Sequence, residues 1–76
     1  MFGFGKSKAA KEMDLVLKSL QLAFENNYKD NARTNLNTFE ELYHKATAEK
    51  SLRPKEAESY GEMLAELKER LKNFHH

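Results

Sequence analysis

A chain of 76 residues makes one domain, close to the smallest that folds unaided, and with no Cys it has neither a disulfide framework nor a thiolate metal site. Its formal charge is only +1, with bases set against acids four to three in residues 1–25, four to four in 26–50 and five to five in 51–76. A nucleic-acid binder working through phosphate contacts concentrates base on one element, so this even spread disfavours that class.

The composition is rich in Lys, Glu, Leu and Ala, and the three Gly and one Pro leave room for long helices and few turns. No apolar run approaches the roughly 20 residues that span a bilayer. Met1–Gly5 is too short to be the apolar core of a secretory signal, and the expected location is the cytoplasm.

Residues 1–7 form a Gly-Phe-rich arm, expected to be flexible. Ser7 suits the N-cap of a helix over 8–25, whose apolar residues Ala9, Met13, Val16, Leu17, Leu20, Ala23 and Phe24 recur at spacings of three and four. Asn26-Asn27 ends it, because Asn tolerates the left-handed C-terminal position, and the same pair can cap the next helix. That helix is predicted over 28–50, with the stripe Tyr28, Ala32, Leu36, Phe39, Tyr43 and Ala46, Leu42 on its shoulder, and a mostly polar opposite face. A third helix is predicted over 54–74. Pro54 suits a first turn, Ser51 or Arg53 would cap it, and the stripe is Ala57, Tyr60, Leu64, Leu67, Leu71 and Phe74.

Helices of similar length joined by short turns are antiparallel neighbours. The expected architecture is a single all-α domain over 1–76, an up-down-up three-helix bundle. The alternative is a long helical hairpin completed by dimerisation.

The first helix carries more than its stripe. At about 100° per residue, Leu15 and Leu22 fall on the side opposite Met13–Val16–Leu20–Phe24, flanked by Lys11, Lys18 and Ser19. Scattered exposed leucines are common on soluble proteins. Two on one line point to a partner or oligomer interface built on Leu15, Leu22 and Lys18, a homodimer being the simplest version. In the arm, Phe2 and Phe4 beside Lys6 and Lys8 could make a weak contact with a membrane surface or a partner, or fold back to cap the bundle.

Motifs that would carry chemistry are incomplete. Gly5-Lys6-Ser7 has neither the upstream Gly nor the strand of a phosphate loop. Glu41 and His44 have the Glu-x-x-His spacing of di-iron bundles, but a single copy without further carboxylates makes no such site. His75-His76 is given no metal role. The sequence predicts a non-enzymatic interaction module or regulator without cofactor, bound to itself or another protein, with a membrane-surface accessory role as the alternative.

Overall fold

The structure, a computed structural model, describes residues 6–74. Ser7 starts the first helix, α1 (Lys8–Glu25): its backbone is extended and its hydroxyl oxygen accepts the Ala10 N–H at 3.1 Å. The helix stops in a Schellman turn. Asn27 takes a left-handed φ of 59°, its N–H reaching Phe24 O at 3.2 Å while the Tyr28 N–H reaches Ala23 O at 2.8 Å.

This turn corrects the expected start of the second helix, α2 (Lys29–Ala48). Tyr28, not an Asn, is its N-cap, and Tyr28 does not belong to the core stripe, being 58% exposed. A periodicity count carries back into a residue whose backbone is not yet helical. The same Schellman geometry ends α2 short of 50. Lys50 sits at φ 57°, its N–H 3.2 Å from Thr47 O, and the Ser51 N–H lies 2.8 Å from Ala46 O. Lys gives no hint of this in sequence, since a residue with a Cβ meets steric resistance in that conformation. The third helix, α3 (Pro54–Lys72), begins with Pro54 behind Arg53 as cap, and the Arg53 N–H donates to Glu56 Oε1 at 2.9 Å.

The three helices form the up-down-up bundle. α2 packs closely against both others, and its buried set of Ala32, Leu36, Phe39 and Ala46 explains how. The two alanines let neighbouring backbones approach, while Leu36 and Phe39 fill the centre. α1 and α3 run parallel and meet through side chains: Ser7 with Glu56 at their starts, Asp14 with Tyr60 further on, and Phe24 edge-on to Phe74 at their ends, 5.4 Å between ring centroids. Two core members escape the stripes drawn from sequence, Ala10 on α1 and Leu52 in the α2–α3 turn.

At Gly61 a side chain of α2 crosses close over α3. The Tyr43 hydroxyl donates to Ala57 O at 3.0 Å and crosses Gly61 where a Cβ would lie 2.6 Å from the hydroxyl oxygen. Gly61→Ala would gain about 1 kcal/mol of helix propensity but must displace a hydrogen-bonded, half-buried ring, at about 1–3 kcal/mol. The expected result is a net loss of about 1 kcal/mol in urea unfolding. In a Tyr43→Phe background the same change should become neutral or stabilising. Additivity between the two positions would show that the ring does not hold Gly61 in place.

Candidate functional site

α1 is gripped on its inner side and left bare on its outer one. Near its start, Glu56 of α3 accepts the Ser7 hydroxyl at 2.8 Å and the Ser7 N–H at 3.1 Å, in addition to the Arg53 N–H. Burial acts to raise the Glu56 pKa, but the hydrogen bonds from Arg53 and Ser7 outweigh it and hold the carboxyl below its ordinary value. Further along, the Tyr60 hydroxyl donates to Asp14 Oδ1 at 2.6 Å, and Lys6 pairs with the other Asp14 oxygen. Burial, then the adjoining Asp14 carboxylate, pushes the Tyr60 hydroxyl far above the usual tyrosine range, so it remains a donor. At the far end the Arg70 guanidinium stacks on Phe24, 4.3 Å from the ring centroid.

These clamps fix the rotation of α1, and so fix what it shows to solvent. Leu15 is 71% exposed and Leu22 50%. Lys8, Leu15 and Leu22, seven apart, form one line on the outward face; Lys11, Lys18 and Glu25, also seven apart, form a second line beside it. All six side chains are exposed, and none of the four charged ones forms an ion pair with another described residue. Two such lines have the spacing of the seam along which helices pair.

The charges on this face also run against the helix dipole. α2 has Asp30 in its first turn and Lys45 in its last, and α3 has Glu56 at its start with Arg70 and Lys72 at its end. α1 has no acid in its first turn and no base in its last. α3 lends both from the inner side, through Glu56 and Arg70. On the outward side Lys8 and Lys11 stay at the positive end and Glu25 at the negative end. Sequence reasoning found Leu15, Leu22 and Lys18 but passed over Glu25, whose signal was its seven-residue step from Lys18.

The chain matches no family model, no curated protein and no solved structure. Its own geometry is therefore the ground for any functional reading.

Phe2 and Phe4 of the arm, and His75-His76, lie outside the described residues. Lys6 is engaged by Asp14, and Lys8 opens α1. His44 stands on the outer side of α2, its Nε2 3.5 Å from Glu40 Oε2. Glu40 is held below the ordinary carboxylate range by the hydrogen bond from Lys68 of α3, against the opposing effect of burial, with Lys68 charge and His44 adding to it. Among the described residues no three His, Asp or Glu side chains could hold a metal ion, and no helix is long and apolar enough to cross a membrane. An open groove of about 390 Å³ separates α1 from α3, lined by Leu17, Gln21, Met63, Glu66, Leu67 and Arg70. That lining holds no histidine, hydroxyl or thiol.

Proposed function

We propose that the protein is a small interaction module that works by binding rather than by chemistry, through the outward face of α1, and that it associates with itself there. The observation that carries this reading is the Leu15–Leu22 line. A helix clamped at both ends presents two large apolar side chains, 71% and 50% exposed, on the face turned away from its own core. A domain this small also gains stability from any partner that covers such a face.

The same face supports a second reading, contact with an anionic membrane surface, because Lys8, Lys11 and Lys18 flank the leucines and the Phe2/Phe4 arm precedes them. Each Lys contributes about 1 kcal/mol near such a surface, so the contact would be weak.

Light scattering over a concentration series tests the proposal. The mass is expected to rise from 8.9 kDa toward twice that value, and Leu15→Glu with Leu22→Glu is expected to restore the monomer while leaving the helical circular dichroism unchanged. A wild-type chain that stays monomeric at millimolar concentration overturns self-association. If the paired substitution instead abolishes co-sedimentation with anionic vesicles, the membrane-surface reading replaces it.

A further inference from the structure

We infer that the occupant of the α1 face is a second copy of the chain laid antiparallel, with Leu15 of each copy over Leu22 of the other and Glu25 of each beside Lys11 of the other. This rests on the reading of that face as a contact surface and adds its direction and register.

Symmetry and charge lead to the same arrangement. If Leu15 covers Leu22 across a two-fold axis, the axis passes between Lys18 and Ser19. Lys11 and Glu25 are centred on Lys18, within about 1.5 Å of that axis along the helix. A single axis therefore serves the apolar line and the charged line together. A two-fold perpendicular to the helices also keeps each flank of α1 against the same flank of its copy, which brings Lys11 and Glu25 to the same side.

Direction follows from the distribution of charge. A parallel copy would set Lys8, Lys11, Lys18 and Glu25 each against its own kind. The antiparallel copy converts Lys11 and Glu25 into two attractive pairs and leaves only Lys18 facing Lys18, at the axis, where the long stems can splay. It also brings a carboxylate to the positive end of α1 on the side where the chain supplies none. An anionic lipid surface would instead meet Glu25 at the end of the same face.

Charge reversal tests the register. Lys11→Glu and Glu25→Lys, each alone, are expected to raise the dimer dissociation constant about tenfold, corresponding to ~1.4 kcal/mol, and the two together to return it close to the wild-type value. The absence of Cys allows a second readout. Ser19→Cys, beside the axis, is expected to oxidise to a covalent dimer, whereas Lys8→Cys is not, its mate lying about 30 Å away along the paired helices. Weakening by each reversal, rescue by both and crosslinking only through position 19 support the antiparallel pair. A dimer that the Leu15 and Leu22 substitutions abolish, but that ignores Lys11 and Glu25 or crosslinks through position 8, overturns the register and leaves the α1 face as the interface. A chain that never dimerises overturns both.

Discussion

Phe39→Ala is expected to cost about 3–5 kcal/mol, the largest loss from any single side chain here. Phe39 is fully buried at the middle of α2, the helix packed against both others, and its ring meets Tyr60 edge-on with centroids 6.2 Å apart. Collapse into the vacated space would have to draw in α1 or α3, and each is fixed elsewhere: α1 by Glu56 and Tyr60, α3 by Tyr43 across Gly61. The cavity therefore stays largely open. A domain of this length has about 4–11 kcal/mol of stability in all, so the variant keeps little margin. Its melting temperature should fall by at least about 12 °C, at 4–8 °C per kcal/mol. Phe39→Leu should lose about 1–2 kcal/mol. A loss below 1 kcal/mol for the alanine variant would mean that the centre of the bundle repacks freely.

The parts of this fold that were legible in the sequence are those set by local chemistry. Ser7 offers a hydroxyl where the first helix needs an acceptor, and Asn27 tolerates the left-handed turn that ends it, so α1 falls on 8–25 as expected. Helical periodicity then separated Met13, Leu20 and Phe24 from Leu15 and Leu22. Features that depend on distant partners were not legible. Leu52 is only 9% exposed although it lies in a turn, where no period marks it, and Tyr28 matched a period without being in a helix. Gly61 looks like a weak point in a helix until Tyr43 is seen crossing it. Glu56 reads as a favourable first-turn acid for α3, which it is. Nothing local says that it also receives Ser7, 49 residues earlier in the chain. The candidate face divides in the same way. Its leucines stand out against a polar surface, while Glu25 becomes meaningful only once α1 is seen to be clamped with that side outward.

Glu56→Ala is expected to cost about 2–3 kcal/mol, because it removes at once a helix-start acceptor of α3 and the tie between the starts of two parallel helices. Glu56→Gln is the sharper variant. Its amide has a single acceptor oxygen, so either the Ser7 N–H or the pair of donors now on Oε1 meets an NH2 group, and a loss of about 1–2 kcal/mol follows. The pH dependence separates the charge from the contact. The folded carboxyl titrates below its ordinary value of 4.5, so the folded state holds the proton less tightly than the unfolded one. The stabilisation is complete above the unfolded value and is lost as pH falls through the lowered folded one. Glu40 titrates with the same sign, but its contribution is common to wild type and variant and cancels in their difference. Thermal melts from neutral to acid pH should therefore converge, the wild type losing its advantage over Glu56→Gln as Glu56 becomes a neutral acid close in shape to the amide. Parallel curves would mean that the carboxylate charge contributes nothing. Because Glu56 sets the position of Ser7, and with it the turn that carries Lys8 and Lys11, Glu56→Ala should also weaken self-association beyond what the lost folding stability accounts for, although it touches no residue of the outward face.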